Sequence, residues 1–418
     1  MNRVTIIGGG WAGLSAAVHA VNSGFQVCLL EAAPQTGGRA RRITHQGLAL
    51  DNGQHILIGA YRDTLALLRL VGVDTDNHLW RMPLTLRMPN GDGLRLPALP
   101  APLNLLTGIA CARGWSWGDK WSLIKQAIQW QQQHFVCPAG MTVSELCAGL
   151  PPAVMALMIE PLCVSALNLP AHQASARVFL RVLQDAMLGG EGSSDMLIPC
   201  VDQSRLFPDA AVQWLQQRGA EVATGHYVED LSPHFSSPVV LACPPWEAAR
   251  LTQSINPAWS AQAAALQHTA IATVYLQAHA KVDWPYTVMA LRSSASAPAQ
   301  FAFDKAKLSR DPAMQGVIAM VVSASLGDRE QISQAVLAQA REQLGLQHAT
   351  VLFAVLEKRA AFACTPGAVR PTAQPGNQVL ACGDYVQGPY PSTLEAAVRS
   401  GIQAVALLKG LHMRENTV

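Results

Sequence analysis

Charge is what this chain has least of. Asp, Glu, Lys and Arg make up 14% of its 418 residues, against about 25% in ordinary soluble domains. The two signs nearly cancel, at a net +2, so no basic field exists to hold nucleic acid. No apolar run reaches the length of a membrane span. The nearest, Ala98 to Ala112, is broken by Pro100 and Pro102 and carries Asn104. It reads as a surface segment that either dips into a membrane interface or packs on the body of the protein. Nine cysteines lie scattered with no C-x-x-C pair, a pattern of reduced core thiols rather than of a disulfide framework. Twelve histidines show no H-E-x-x-H or comparable spacing, so no metal site is expected. No signal-like segment precedes the first apolar strand, and the expectation is a cytoplasmic protein.

Hydrophobic residues, by contrast, make up 50% of the chain. Such a composition must bury an unusual amount or line an apolar cavity or membrane face. A substrate with long hydrocarbon reach suits it better than an ionic one.

The first 56 residues carry the strongest local pattern. Val4 to Ile7 is a short β-branched run suited to a buried parallel strand. Gly8, Gly10 and Gly13 follow with G-x-G-x-x-G spacing, with Ala12 inside the turn, and Leu14 to Val21 continues as an Ala-rich helix. Gly8 allows the tight turn, Gly10 lets backbone amides approach a pyrophosphate, and Gly13 lets the helix pack on the strand. Glu31 closes a second apolar strand, Gln26 to Leu30, where a carboxylate accepts from ribose hydroxyls. Gly37, Gly38, Arg39 and Ala40 come next. A nicotinamide enzyme has no need for a Gly-Gly-Arg turn there, whereas the longer pyrophosphate and ribityl chain of FAD does.

Farther along, Leu84 to Leu96 alternates around Asn90-Gly91, a hairpin signal. From Trp117 the pattern turns helical: Trp121, Ile124, Ile128 and Gln131 lie along one helix, and Thr142 with Glu145 forms a capping box. Pro152 to Leu162 and Ser175 to Leu188 read as further helices. Phe207 to Arg218 predicts a helix, then Glu221 to Thr224, Tyr227 to Leu231 and Val239 to Ala242 predict strands. Ile271 to Gln277 and Val317 to Ser323 read as strands of a second unit, with a helix at Ile332 to Leu344. Pro366 to Asn377 reads as a loop. The closing segment is a strand, Val379 to Cys382, then Gly383 and Asp384, then a helix starting near Thr393. Amides of that helix's first turn would face a flavin ring carrying negative charge.

The expected fold is therefore α/β. A discontinuous Rossmann-like FAD-binding domain (residues 1–75, 190–245 and 371–418) has a parallel sheet with helices. A mixed-sheet and helical substrate domain (76–189 and 246–370) accompanies it, with 117–189 mostly helical.

These stretches resemble the flavin amine oxidase and carotenoid desaturase superfamily. Asp51-Asn-Gly-Gln-His through Gly72, Glu160 to Pro170 and Leu380 to Gly401 are more narrowly similar to the hydroxysqualene dehydroxylase family of hopanoid synthesis. The resemblance implies an amine oxidase-like architecture and FAD; Cys364 and Cys382 raise the possibility of covalent attachment, but buried inert cysteine is the commoner state, so noncovalent FAD is expected. The resemblance implies cofactor contacts from Gly53, Gln54 and His55, from the backbone of Val228, and from Gly383, Asp384, Thr393 and Leu394. It also implies reduction of an allylic isoprenoid alcohol to squalene by hydride from reduced FAD, with an upstream synthase and an electron donor as partners; peripheral contact at the inner membrane face is the expectation if the Ala98 to Ala112 segment dips into the interface. His55 is the expected acid for the leaving hydroxyl, with Asp51 and Tyr385 as weaker alternatives. Thr393 and Leu394 stand where amine oxidases carry an aromatic cage, which disfavours an amine cation as substrate. A carotenoid-type desaturase and a noncatalytic lipid escort remain as other readings.

Overall fold

The computed structural model describes residues 3–100, 102–279 and 282–415. Residue 101, within the proline-broken apolar stretch, and residues 416–418, at the end of the third cofactor segment, lie outside them.

Three distant parts of the chain build one parallel sheet. Its strands run Glu221–Thr224, Gln26–Glu31, Arg3–Ile7, Val239–Leu241 and Val379–Ala381 across the sheet. The Arg3–Ile7 strand sits centrally, pairing Thr5 with Cys28 on one side and Val239 on the other. Val4, Ile6, Leu29, Val240 and Leu380 are almost fully buried, as parallel strands covered on both faces require. The Trp11–Asn22 helix packs on the closing helix, Leu394–Glu415. A Cβ on Gly401 would lie 2.6 Å from the Ala12 carbonyl oxygen, so only glycine permits that approach. Ser15 donates its hydroxyl to the Val398 carbonyl at 2.9 Å across the same seam.

The second sheet is antiparallel, ordered Val288–Ala290, Phe301–Asp304, Val317–Ser323, His268–Gln277 and Thr350–Phe362. Tyr275, fully buried on its long strand, donates its hydroxyl to the Asp51 carbonyl at 2.9 Å and accepts from the Asp51 amide at 3.1 Å. One side chain thereby ties the second sheet to the chain that follows the cofactor motif. The expected hairpin forms, with Thr85–Arg87 paired to Gly93–Arg95, and both residues of the Thr142–Glu145 capping box engage. No helix among the described residues is long and apolar enough to cross a membrane.

Three expectations need correction. Tyr227 to Leu231 is no strand. Its carbonyls at Val228 and Glu229 accept from the Arg250 guanidinium, at 2.8 and 2.7 Å, so a side chain takes the place of a neighbouring strand. Pro152 to Leu162 is not one regular helix: Met155–Ile159 widens to a π-helical turn just ahead of Pro161, whose missing N–H cannot complete a regular turn. Nor are the cysteines uniformly core residues. All nine are free, but Cys147, Cys163, Cys364 and Cys382 are buried while Cys111 is exposed.

Candidate functional site

The turn after the first strand makes a backbone cradle. Gly8 adopts φ +111°, and a Cβ on Gly13 would fall 1.9 Å from the Gly8 carbonyl oxygen. Helix and strand can therefore meet only with glycine at both places. Gly10 differs: its Cβ would have nothing nearer than the Gly38 Cα at 3.9 Å, so bare backbone faces a cavity there. Glu31 ends the second strand, and its carboxylate accepts from the Gly9 and Ala33 amides at 2.6 and 2.7 Å.

This cavity holds about 430 Å³. Gly8, Gly10, Ala12, Glu31, Gly38, Arg39, Ala40, Val228, Gly383 and Asp384 line it, as do His55, Thr393 and Leu394. Gly13 does not reach it and acts by close packing. Tyr385 lines it too, and its phenol oxygen is buried with no partner among the described residues. A cavity floored by glycine backbone, with a carboxylate closing the second strand and the Arg39–Asp384 pair on its wall, fits FAD. Cys364 and Cys382 line no part of it. Cys243 does, its thiol pushed up to about 12 by burial, so no lined thiol is poised as a nucleophile for covalent attachment.

At the far wall Arg39 donates to Asp384 at 2.6 Å, and Ser392 donates to the other carboxylate oxygen. Burial pushes the Asp384 carboxyl up, but Arg39, Ser392 and Arg370 outweigh it and hold the group below the usual carboxylate range. Arg370 was not legible from sequence. Its guanidinium donates to the carbonyls of Asp384, Tyr385, Val386, Gly388 and Tyr390 and so fixes the loop ahead of the closing helix. Lysine cannot reproduce that planar fork. Arg370→Lys should weaken flavin affinity by about tenfold or more, read by titrating apoprotein with FAD.

A second cavity, of about 280 Å³, meets the first. Its walls are mostly aliphatic and aromatic, including Leu84, Leu86, Phe179, Leu183, Met187 and Phe301. The two share Arg39, His55, Glu357, Ala360, Ser392, Thr393 and Leu394, and these residues mark the junction where a ring bound in the first would confront a substrate in the second. Arg39 and Glu357 are the only charged residues among the described residues lining the second cavity. Gly53 and Gln54 line this second cavity rather than the first.

His55 stands at the junction, but its chemistry departs from expectation. Its Nδ1 lies 2.8 Å from the Gly53 carbonyl, which must accept, so Nδ1 carries the proton and Nε2 is left an acceptor. Burial, with Arg39 adding to it, lowers the imidazole pKa despite the Gly53 bond. The resting ring is therefore neutral and offers the second cavity no proton. Tyr61, also missed from sequence, lines that cavity and hydrogen-bonds Thr393. Burial, reinforced by Glu395, raises its phenol well above the ordinary value, so it keeps its proton throughout the physiological range. Tyr385 lines only the first cavity.

Asp51 lines neither cavity, which removes it as an acid contacting substrate. Its carboxylate accepts from the Gln203 amide at 2.8 Å and sits 3.8 Å from the buried Lys305 ammonium. Lys305 in turn donates to the Gln54 amide oxygen at 3.4 Å. That bond orients the amide, whose Nε2 has no partner among the described residues. Burial lifts the Asp51 carboxyl from 3.8 to about 6, against the pull of Lys305 and Gln203. A carboxyl whose folded pKa is raised binds more protons folded than unfolded. Its contribution to stability is therefore full below pH 4 and is lost as pH rises to 6. Asp51→Asn cannot titrate, so melting curves should show wild type faring better relative to the variant at pH 4 than at pH 8, by a few degrees.

Comparison with known proteins gives the same grouping. The family model for flavin containing amine oxidoreductases matches residues 11–409. Hydroxysqualene dehydroxylase of Rhodopseudomonas palustris is 27% identical over 97% of this chain and 98% of its own, and that of Sinorhizobium fredii 25% identical over 97% and 98%. A crystal structure of an oxidoreductase from Methanosarcina mazei superposes with a TM-score of 0.71 at 14% identity, covering 97% of this chain and 100% of that one.

Proposed function

The chain belongs to the family of flavin containing amine oxidoreductases, and on that premise we propose that it removes the hydroxyl of hydroxysqualene reductively, leaving squalene. It is a flavin-dependent oxidoreductase, and the full-length likeness to proteins named for this reaction supports the choice of substrate. One observation carries the reading furthest. The second cavity is mostly apolar, and the only charged residues among the described ones lining it, Arg39 and Glu357, stand where it joins the cofactor cavity, so a hydrocarbon chain would present its oxygenated carbon to the junction.

The balance is R–OH plus two electrons and two protons giving R–H and water. The carbon–oxygen bond breaks, a carbon–hydrogen bond forms, and the oxygen leaves as water. Bound in its reduced form, FAD would supply a hydride, which is both electrons with one proton; the second proton, carried off in the water, would pass to the oxygen from the Tyr61 phenol and be replaced from solvent. The chain's own residues bind and polarise the alcohol. Tyr61 donates a hydrogen bond to the departing oxygen, and Gln54, its amide oxygen held by Lys305, lines the same cavity. The aliphatic walls exclude water that would otherwise capture an allylic cation. His55 serves as an acceptor at the junction rather than as the acid. Nine free cysteines fit work in a reducing compartment.

The test is anaerobic. Protein reduced stoichiometrically and mixed with hydroxysqualene should form squalene as its flavin reoxidises, one for one. Reduced flavin that persists beside unchanged alcohol sinks the reading. Bleaching of the oxidised protein by a polyene precursor would then favour a desaturase.

A further inference from the structure

Seven of the fourteen large hydrophobic side chains left exposed among the described residues fall between Leu99 and Val136. We propose that the face formed by the Leu103–Ala110 and Trp117–Gln132 helices seats the protein on an anionic lipid bilayer, with the apolar cavity opening beside it.

The longer helix carries two apolar stripes. Leu123 and Trp130 form the buried one. At ~100° per residue, Trp117, Trp121 and Ile128 fall within about 40° of each other on a different side, with Ile124 at their edge packed on the core. Trp117 is 75% exposed, Trp121 68% and Ile128 48%. A core-facing helix needs one stripe, so the second has no partner within the described fold. Leu103 and Leu106 extend the surface on the adjoining helix. Lys120 joins the two helices by donating to the Ala110 carbonyl at 2.7 Å, which keeps both parts of the face in one body.

Charge chooses the occupant. Lys120 and Lys125 flank the tryptophan stripe, one on each side. The helix's one acid, Asp119, is turned away and occupied in the capping box with Ser116. Indoles between lysines match the interface of a bilayer with anionic headgroups. A second copy of this chain would instead set one basic face against another.

Position links the face to the cavity. Asn104, on the shorter helix, lies 3.5 Å from the Ser194 hydroxyl, and Ser194 lines the second cavity with Met187 and Met196. A lipid alcohol could thus pass from bilayer to junction without crossing water. That last step rests on the lipid-substrate reading; the docking itself does not.

The experiment uses FAD-loaded protein and sedimentation with vesicles, without substrate. Vesicles containing about a third phosphatidylglycerol should bind wild type, and pure phosphatidylcholine should bind it roughly 25-fold less, about fivefold for each lysine. W117Q/W121Q should lose about tenfold or more of the binding while keeping turnover of detergent-dispersed hydroxysqualene. Undiminished vesicle binding by W117Q/W121Q overturns the proposal. So does a wild-type dimer in solution that ignores vesicles and that W117Q/W121Q converts to monomer. Since binding is read without chemistry, loss of the dehydroxylase reading would leave this result standing.

Discussion

Gly10→Ala should yield a folded, colourless protein. Gly10 has ordinary extended backbone, φ −74° and ψ −178°, so alanine costs no strain there. Its methyl would meet nothing nearer than the Gly38 Cα at 3.9 Å, so packing tolerates it as well. What the methyl does occupy is the wall of the cofactor cavity, where the pyrophosphate needs bare amide backbone. FAD affinity should fall on the order of 100-fold, about 2.7 kcal/mol, while the melting temperature of the apoprotein stays within a degree or two of wild-type apoprotein. Gly13→Ala makes the contrast. Its Cβ would sit 1.9 Å from the Gly8 carbonyl oxygen and 2.9 Å from the Ala242 Cβ, so the helix must leave the strand, and both stability and flavin should be lost. Absorbance of the purified proteins and thermal melts of their apo forms separate the two. A yellow Gly10→Ala protein with wild-type affinity would mean that the pyrophosphate lies elsewhere.

What sequence revealed and what it concealed divide along one physical line. The cradle was legible because its parts are close in the chain: strand, glycines, helix and Glu31 lie within 31 residues, and each has a local steric reason. The closing strand and helix were legible for the same reason. The junction was not. Glu357 reaches it only because a sheet contributed by residues 268–362 folds over the first motif, a contact that no periodicity encodes, and Tyr61 lines the adjoining second cavity. Arg370 hides in a loop whose sequence says only that it turns, yet its guanidinium gathers five carbonyls. Tyr227 to Leu231 misled because β-propensity reports a side chain's fit to a pleated surface, and Arg250, not a strand, waits beside it. His55 lines both cavities, but the motif says nothing of its proton. Its protonation depends on a carbonyl two residues away and on burial, neither of which composition displays.

The consequence for chemistry is sharp enough to measure. If the departing oxygen takes its hydrogen bond from the Tyr61 phenol, Tyr61→Phe should lower kcat by about 100-fold or more, the usual cost of removing a preorganised donor from a dry site, with FAD affinity unchanged. His55→Ala, with flavin bound, should lose much less. The pH profile discriminates further. An imidazolium acid is present only below its pKa, and burial lowers that pKa from 6.5, so turnover through His55 would decline as pH rises through the acidic range and be small at pH 8. A phenol whose pKa burial has raised stays protonated across the same interval, so turnover through Tyr61 should remain level from pH 6 to 9. Single-turnover reoxidation of the reduced protein isolates this step from substrate delivery. A Tyr61→Phe protein at full rate, with a wild-type profile that falls as pH rises through the acidic range and flattens in His55→Ala, would return the proton to the histidine.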